Sequence, residues 1–397
     1  MAATNLCSFA PARPTRLAST RPLCVFLLVR SLEVGGAERQ LTALACALHA
    51  RGHRVHVGVF YLRGVLIKEL ERAGVPIVDL AKRGRWDFAG FLLRLKRALA
   101  DIRPDVVYSY LGGANIFAAA ARLAGADFKL AWSVRASNMD LTRYDWTHRL
   151  ASRVERLLSG LPDIIIANSV AGRDYAIRNG FPGARIELAS NGIDTDRFSA
   201  DPALRATQRQ AWQLAPQQIA VGILARLDPM KDHATFLRAA KMMAEVSPNL
   251  HFLCVGEGPE REKLVALAEK LGIAHRVSFT GEADSASALN AFDIACSTSI
   301  TEGFPNAIAE AMACGKPCVV TDVGDSALIV GDHGLIVSPR DPDALARAVL
   351  RQVESLPASG HSAARQRIVD HFSLDASIER TLLLLRQIQD RQSAQIA

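Results

Sequence analysis

Several features that mark other classes of protein are missing from this sequence of 397 residues. Although 49% of the residues are hydrophobic, no run of 18 apolar residues occurs, so we predict no transmembrane helix. The seven cysteines are scattered, and the nearest pair is Cys314 and Cys318. This pattern excludes the usual metal spacings and indicates reduced, mostly buried thiols in a reducing compartment. Aromatic residues make up only 6%, and no nucleic-acid recognition motif is present, so we predict no nucleic-acid partner.

Charge is unevenly distributed along the chain. Residues 1–190 hold 27 Lys and Arg against 15 Asp and Glu, a net charge of +12, whereas the rest hold 20 against 25, a net charge of −5. The basic half favours an anionic membrane surface or an anionic acceptor as partner. The segment 82–97 places six cations around Trp86 and Phe88, as in a helix lying at a membrane interface. The same pattern is typical of a domain helix whose apolar side chains are buried, namely Phe88, Phe91, Leu92 and Leu95.

Strands and helices alternate along the chain, and they do so twice. In the first half we predict strands near residues 23–29, 54–60, 76–80, 105–109, 129–134 and 163–167. In the second half we predict them near 219–225, 250–255, 276–280, 293–297, 317–321 and 334–337. Such alternation is typical of parallel sheets covered by helices on both faces. The fold class is therefore α/β, with two Rossmann-like domains facing a cleft.

The most informative stretch is 299–317, in which Glu302 and Glu310 lie on either side of a Gly-Phe-Pro-Asn turn that opens a short helix. Pro305 suits the first helical position, because its missing N–H is not needed there. The backbone N–H groups that would point out of the helix start belong to Phe304, Asn306 and Ala307. A helix start favours an anion, and carboxylates accept hydrogen bonds from hydroxyls, so a nucleotide sugar fits this stretch. The alternative is that both glutamates are ordinary surface residues.

Two cations follow the predicted strand 219–225. Arg226 and Lys231 would lie beyond its carboxyl end, where open α/β folds bind their ligands. Fixed cations there can neutralise a pyrophosphate leaving group without a metal. The alternative is that both are solvated residues of a loop.

A Gly-Gly pair follows the first strand. Gly35 and Gly36 stand between this strand and a helix predicted over residues 37–50, where glycine lets the backbone approach a ligand closely. A simple tight turn would have the same sequence. A further Gly-rich turn over residues 255–260 lacks the third glycine of the dinucleotide fingerprint.

The string 299–317 resembles the donor-site signature of the retaining glycosyltransferases of family 4, which have the GT-B architecture. Arg226 and Lys231 stand at the spacing of that family, and the resemblance covers the chain from about residue 23. It implies that Glu310 binds the ribose of the nucleotide. It implies that Glu302 holds the transferred sugar with the help of Gly303, Phe304, Pro305, Asn306 and Ala307. It further implies that Gly35 and Gly36 face the donor phosphates and that the loop at Gly281 meets the base.

The resemblance implies a retaining, metal-independent transfer from a nucleotide diphosphate sugar, most simply a UDP-sugar. In this hypothesis Arg226, Lys231 and Glu302 are the catalytic residues, the nucleotide sugar is a substrate, and neither a cofactor nor a metal is required. We expect a saccharide or lipid-linked saccharide acceptor from polysaccharide or lipopolysaccharide biosynthesis. The expected location is the cytoplasm, with peripheral contact to the inner face of the cytoplasmic membrane. The alternatives are a GT-B sugar-nucleotide epimerase and a catalytically silent nucleotide-sugar-binding protein.

The sequence departs from the family pattern at two places. Many members carry a histidine after the fifth strand, where this chain has Arg135, which we interpret as a contact to an acidic sugar or to the acceptor. His148 is the alternative substitute for that histidine, although we expect it on a helix surface. The family often has Gly-Gly where Gly324 is followed by Asp325. The Asp-Thr-Asp at 194–196 is interpreted as turn chemistry rather than as a metal motif.

Four segments follow from these interpretations. Residues 1–22 form a disordered tail without acidic residues, although a transit peptide has a similar composition. Residues 23–190 form the acceptor-side domain, and residues 191–373 form the domain that binds the nucleotide sugar. The final helix, within 374–397, is expected to cross back to the first domain, as in many GT-B chains.

Overall fold

The computed structural model of the protein describes residues 21–33, 35–135, 146–356 and 362–396, the last six of these by their backbone alone. The expected tail therefore lies almost wholly outside the described residues. Two sheets organise the chain. The strands of the first sheet are β1 (Cys24–Val29), β2 (Arg54–Val59), β3 (Ile77–Asp79), β4 (Val106–Tyr110), β5 (Lys129–Val134), β6 (Ile164–Ala167) and β7 (Ile186–Leu188). The strands of the second are β8 (Ile219–Leu224), β9 (Leu250–Val255), β10 (Val277–Gly281), β11 (Ile294–Ser297), β12 (Cys318–Thr321) and β13 (Gly334–Val337).

Helices connect these strands. Those of the first half are α1 (Gly36–Ala50), α2 (Ile67–Arg72), α3 (Ala89–Ile102), α4 (Gly112–Leu123), α5 (Trp146–Leu158) and α6 (Val170–Arg178). The others are α7 (Pro202–Ala211), α8 (His233–Val246), α9 (Arg261–Lys270), α10 (Ser285–Ala291), α11 (Asn306–Ala313), α12 (Ser326–Val330), α13 (Pro342–Glu354), α14 (Ser362–Phe372) and α15 (Leu374–Ile396). None of the described helices combines the length and the apolar character that a bilayer span requires.

Every strand pair in the two sheets is parallel. The strand order is β3-β2-β1-β4-β5-β6-β7 in the first sheet and β10-β9-β8-β11-β12-β13 in the second. Strands β1, β4 and β11 are buried along their whole length because helices cover both faces, which explains continuous apolar runs such as Cys24–Val29. The prediction of an α/β fold with two parallel sheets is confirmed. The carboxyl ends of the central strands β1, β4, β8 and β11 define the edges at which a ligand would bind.

The last helix packs against the first sheet rather than the second. Ile378, Leu382, Leu385 and Ile388 of α15 belong to the same buried apolar cluster as β1, β2 and α1. The side chain of Arg51, which follows α1, also pairs with Asp375 of α15 at 2.8 Å. The chain thus returns to its first half after completing the second sheet.

The structure adds one strand to those predicted and shortens one predicted helix. Strand β7 was not predicted, because three residues after a short 3₁₀ turn are too few to show a strand pattern. Within segment 82–97 the helix begins only at Ala89, since the Asp87 carboxylate accepts a hydrogen bond from the Arg83 backbone N–H at 2.8 Å and closes a turn there. Phe91 and Leu95 are buried as expected, but Phe88 is 52% exposed.

Candidate functional site

A pocket of about 260 Å³ lies at the carboxyl edge of the second sheet, where it meets the start of α1. Strands β8 and β11 form its floor, and the loop that leads into α11 forms its wall. The lining residues are Gly36, Ile223, Leu224, Ala225, Lys231, Cys296, Ser297, Thr298, Ser299, Glu302, Phe304, Pro305, Asn306, Ala307 and Ile308. The pocket is therefore lined by the predicted site residues Lys231 and Gly36 and by residues 302–307 other than Gly303.

The charged centre of the pocket is an ion pair between Lys231 and Glu302. The hydroxyl of Ser299 also donates a hydrogen bond to Glu302 Oε1, at 2.6 Å, and both charged side chains are mostly buried. The loop of Lys231 is tied to β11 because Thr298 donates to the Lys231 carbonyl oxygen at 2.9 Å. An ammonium has three donors, so the pair leaves Lys231 able to bind further acceptors.

The start of α11 offers unbonded amides to the pocket. Pro305 is the N-cap and Asn306 is the first helical residue, so the proline stands one position earlier than predicted. Its carbonyl oxygen accepts hydrogen bonds from the N–H groups of Ile308 and Ala309. The N–H groups of Phe304, Asn306 and Ala307 have no acceptor within the described residues. The helix start therefore presents an electropositive rim to the pocket.

Glycines let the loops around this pocket pack closely. Gly324 has φ of +58°, and a Cβ there would collide with the carbonyl oxygen of Glu302. Gly256 and Gly258 pack in the same way against the backbone that carries Arg226. The turn over residues 255–260 thus supports the loop of Arg226 and contributes nothing to the pocket lining.

Arg226 lies outside the pocket. Its side chain is 68% exposed and pairs with Asp228 at 3.0 Å. Only one nitrogen is occupied in that pair, so most of the guanidinium donors remain available. The predicted pair of cations is therefore asymmetric, with Lys231 in the pocket and Arg226 at its margin.

Glu310 lies one turn into α11, beyond the pocket lining, with no hydrogen-bond partner for its carboxylate within the described residues. Burial raises the pKa of Glu310 to about 7, although the nearby cations Arg39 and Arg197 oppose that shift. Gly281 lies further away, at the end of β10, where its carbonyl oxygen accepts a hydrogen bond from the Gly256 N–H at 2.8 Å. The structure does not bring Gly281 into the pocket.

The first sheet contributes the opposite wall. Gly36 begins α1, and a Cβ on it would lie 3.1 Å from Nδ2 of Asn306. Gly35 is the N-cap of α1 and lies against the side chain of Glu38. Burial raises the pKa of Glu38, with the positive charge of Arg135 opposing the shift. The Gly-Gly turn therefore faces α11 across the cleft.

Arg135 follows β5 and is held by neutral side chains. Its Nε donates to Ser133 Oγ at 2.7 Å, its Nη1 to Asn191 Oδ1 at 2.7 Å, and its Nη2 to the Tyr110 hydroxyl at 3.1 Å. The guanidinium lies 4.4 Å from the centre of the Tyr110 ring. Asn191 also donates to Asn306 Oδ1 at 2.9 Å, so one asparagine bridges Arg135 and the wall of the pocket. His148 lies exposed on α5.

A second bridge crosses the cleft at Asp325. Its carboxylate accepts hydrogen bonds from the backbone N–H groups of Val170 and Ala171, at 2.8 and 2.9 Å, at the start of α6. Its own N–H donates to the Gly303 carbonyl oxygen at 2.9 Å. In the sequence Asp325 stands out only as a departure from Gly-Gly, and neither this contact nor the bridge at Asn191 was predicted. The signal in the sequence was an aspartate in place of a glycine, in a loop that was expected to face the ligand.

The Asp-Thr-Asp at 194–196 forms a turn. Asp194 Oδ1 accepts hydrogen bonds from the backbone N–H groups of Asp196 and Arg197 at 3.1 and 3.0 Å. This geometry agrees with the turn interpretation, in which the carboxylate organises its own backbone.

Comparison with known families gives two matches, one for each half. Residues 34–197 match the model described as Glycosyltransferase Family 4, and residues 218–355 match the model described as Glycosyl transferases group 1.

Curated relatives are similar at moderate identity. A GDP-mannose-dependent alpha-(1-6)-phosphatidylinositol monomannoside mannosyltransferase of Mycobacterium tuberculosis is 31% identical over 274 residues, 65% of this chain and 69% of that protein. EpsF of Bacillus subtilis is 28% identical over 52% of this chain and 54% of EpsF. A D-inositol 3-phosphate glycosyltransferase of Mycobacterium sp. (strain KMS) is 32% identical over 47% and 43%. The chain thus spans about half the length of the latter two relatives.

Solved structures with the same architecture cover almost the whole chain. Anabaena HepE, crystallised with UDP and glucose, matches with a TM-score of 0.80 at 24% identity, over 91% of this chain and 98% of HepE. WaaG, a glycosyltransferase involved in lipopolysaccharide biosynthesis, matches with a TM-score of 0.70 at 18% identity, over 90% and 98%. These likenesses establish the two-domain GT-B fold.

Proposed function

The chain belongs to the family-4 glycosyltransferases of GT-B fold, and on that premise we propose that it moves a sugar from a nucleotide diphosphate sugar to a saccharide or lipid-linked saccharide, with retention of configuration. The observation that carries this proposal is the Lys231–Glu302 ion pair beside the unbonded amides of α11. Together they offer positive charge for phosphates and an acceptor for sugar hydroxyls within one pocket of about 260 Å³.

The proposed roles follow from this geometry. Lys231 stabilises the negative charge that grows on the leaving diphosphate, and Arg226 turns from Asp228 to assist it when the donor is bound. Glu302 accepts hydrogen bonds from the sugar, supported by the backbone of Gly303 and the residues that follow. Glu310 accepts from the ribose hydroxyls, and the Gly35–Gly36 turn approaches the phosphates from the opposite wall.

The transfer step requires no side-chain nucleophile. The bond between the anomeric carbon and the diphosphate oxygen breaks as the acceptor hydroxyl oxygen forms its bond on the same face of the sugar. The acceptor proton passes to a phosphate oxygen of the leaving group. The cations at the cleft therefore supply the catalysis, through charge stabilisation and positioning.

A UDP-sugar is the proposed donor. The complexes of HepE with UDP and with UDP-glucose support this choice, because HepE shares the fold over nearly its whole length. The named dependence of the Mycobacterium tuberculosis relative on GDP-mannose supports a guanine nucleotide as the second candidate. The loop at Gly281, which is proposed to meet the base, would make this distinction.

A lipid-linked acceptor at a membrane surface is proposed from the surface of the first domain. Trp86 is 69% exposed, and Trp146 and Leu150 on α5 are also exposed, each near arginines such as Arg85 and Arg149. Aromatic and basic side chains together are typical of contact with anionic lipid. The relative that acts on a phosphatidylinositol mannoside, and WaaG, which takes part in lipopolysaccharide biosynthesis, support such an acceptor.

A second candidate function is a nucleotide-sugar-binding protein without transferase activity. It is favoured by Arg135, which stands where the resemblance to the family implies a histidine. This candidate keeps the donor pocket and loses only the transfer step.

A donor screen tests the proposal. Purified protein is incubated with UDP-, GDP- and ADP-sugars in the presence of EDTA, and nucleotide diphosphate release is followed with and without a membrane lipid extract. We expect UDP release that depends on the extract. UDP-sugar binding without release would favour the binding protein, whereas turnover of the sugar nucleotide without any acceptor would favour the epimerase. Binding of no nucleotide sugar would refute the proposed pocket.

A further inference from the structure

Arg135 carries a positive charge that no carboxylate of the described residues contacts. Its three hydrogen-bond partners are two hydroxyls and a side-chain amide, and the described residues form no ion pair with it. Burial raises the pKa of the Tyr110 hydroxyl well above its usual value, so that partner remains neutral. A guanidinium taken out of bulk water in this way is costly unless a counter-charge arrives.

Three other buried or half-buried arginines receive such compensation. Arg205 and Arg209 both pair with Asp293, at 2.6 and 3.0 Å. Arg365 has no carboxylate, but it binds the carbonyl oxygens of Thr195, Phe198 and Ala313, and Ala313 is the last residue of α11. The carbonyl end of a helix carries partial negative charge, which stabilises a cation. Among the residues that the structure describes, Arg135 has neither kind of partner.

Glu38 is an acid on which the charge of Arg135 acts. Burial raises the pKa of Glu38, the positive charge of Arg135 opposes that shift, and the two side chains form no ion pair. Glu38 lies instead against Gly35, at the start of α1. Within the described part of the chain, the guanidinium therefore has an acid in its surroundings and none in contact.

The position of Arg135 indicates that its counter-charge would come from a ligand in the cleft. The residue follows β5 at the carboxyl edge of the first sheet, and Asn191 links it to Asn306 in the wall of the donor pocket. Of the five guanidinium donors, three are used, so two remain for a ligand. An anionic group at this point would lie beside the sugar, on the wall opposite the cations of the second sheet.

We propose that Arg135, oriented by Tyr110 and Asn191, binds an anionic oxygen group of a substrate, either a carboxylate or a phosphate. This inference rests on the proposed function, since it assigns a substrate class to the same cleft. The anion comes either from the acceptor or from an acidic sugar of the donor. Arg135 is then a residue that determines specificity, and a neutral substrate would leave its charge unpaired.

Binding measurements test this without requiring turnover. With UDP at saturation, so that the diphosphate cations are occupied, inorganic phosphate and glucuronate are titrated into wild-type protein and Arg135→Gln by thermal shift. UDP-glucuronate and UDP-glucose are compared in parallel. We expect Arg135→Gln to weaken at least one of these anionic probes about tenfold or more, as for a charge-assisted hydrogen bond, with UDP-glucose affinity changed less than about twofold.

The probe that responds identifies the source. Loss of phosphate or glucuronate binding assigns the anion to the acceptor, and loss of UDP-glucuronate binding alone assigns it to the donor sugar. Equal affinities of wild type and Arg135→Gln for all three anionic probes would overturn the proposal. If UDP itself failed to bind, the proposed function would fall, while the phosphate titration would still judge Arg135.

Two further variants separate charge from structure. Asn191→Asp places a carboxylate against Nη1 of Arg135 and so supplies the missing counter-charge within the protein. It should weaken the responding probe about tenfold, even if Arg135→Gln fails to fold. Arg365→Lys is the matched control, because that arginine is half-buried but binds only carbonyl oxygens away from the pocket. Unchanged binding in Asn191→Asp, or an equal loss in Arg365→Lys, would contradict the proposal.

Discussion

The two walls of the cleft are built in different ways. On the wall of the second sheet, Lys231 and Glu302 neutralise each other, and glycines pack the surrounding loops tightly. On the wall of the first sheet, Arg135 is oriented by neutral partners and keeps its charge. The charges on the wall of the second sheet are paired before a ligand arrives, whereas the charge of Arg135 is paired only when a ligand brings an anion. The difference suits a common donor chemistry on one wall and a variable substrate on the other.

The largest effect is expected from removing the ammonium of Lys231, on the wall of the second sheet. Lys231→Ala should lower kcat about 10³-fold, because it removes a charge-stabilising donor and leaves Glu302 without its cation. Nucleotide diphosphate release under saturating donor measures this. Lys241→Ala, an exposed lysine of α8, is the control and should behave as wild type. A value of kcat within tenfold of wild type would mean that this wall does not carry the chemistry.

Arg226→Ala compares the second cation of the same wall with Lys231. We expect kcat to fall about 10²-fold, less than for Lys231→Ala, since Arg226 is exposed and must leave Asp228 to act. The same release assay measures it, with Arg238→Ala on α8 as the exposed control. Near wild-type turnover of Arg226→Ala would remove this residue from the mechanism.

Glu310 should make donor binding depend on pH. Its pKa is raised to about 7, so the carboxyl becomes protonated as pH falls through 7 and then accepts fewer hydrogen bonds from ribose. We expect KM for the donor to rise about tenfold between pH 8 and pH 6. In Glu310→Gln, KM should be about tenfold higher at pH 8 and nearly independent of pH. The exposed Glu262→Gln is the control, and a pH dependence that persists in Glu310→Gln would exclude this role.

The smallest effect is expected where the two walls touch. Asp325→Ala removes the acceptor of two N–H groups at the start of α6 and should lower kcat/KM about fivefold through poorer domain positioning. Asp341→Ala also removes a helix cap, that of α13, but away from the cleft. It should lower the thermal stability and leave kcat/KM unchanged. Equal catalytic losses in both variants would indicate a general loss of stability.

Strand positions and the donor wall were accessible from the sequence because both depend on short-range patterns. Buried parallel strands require apolar runs such as 219–225, and a ligand-binding helix start requires Gly, Pro and small residues at fixed spacing. All twelve predicted strands overlap observed ones. The three-residue strand β7 was not predicted, because it is too short to show a strand pattern.

The contacts across the cleft were not accessible in the same way. Asn191 and Asn306 are separated by 115 residues, and Asp325 and Val170 by 155. Such pairs depend on how the two sheets face each other, which no local pattern encodes. For the same reason the sequence could place Arg226 and Lys231 at one edge but could not distinguish the exposed cation from the paired one.

Asp325 joins the two halves of the cleft thermodynamically. Its carboxylate holds α6 of the first half, while its N–H holds Gly303 beside Glu302. If the donor and the second substrate both favour this arrangement, each raises the affinity of the protein for the other by the same factor, because linkage between two sites is reciprocal. Two substrate sites joined in this way fill together rather than independently.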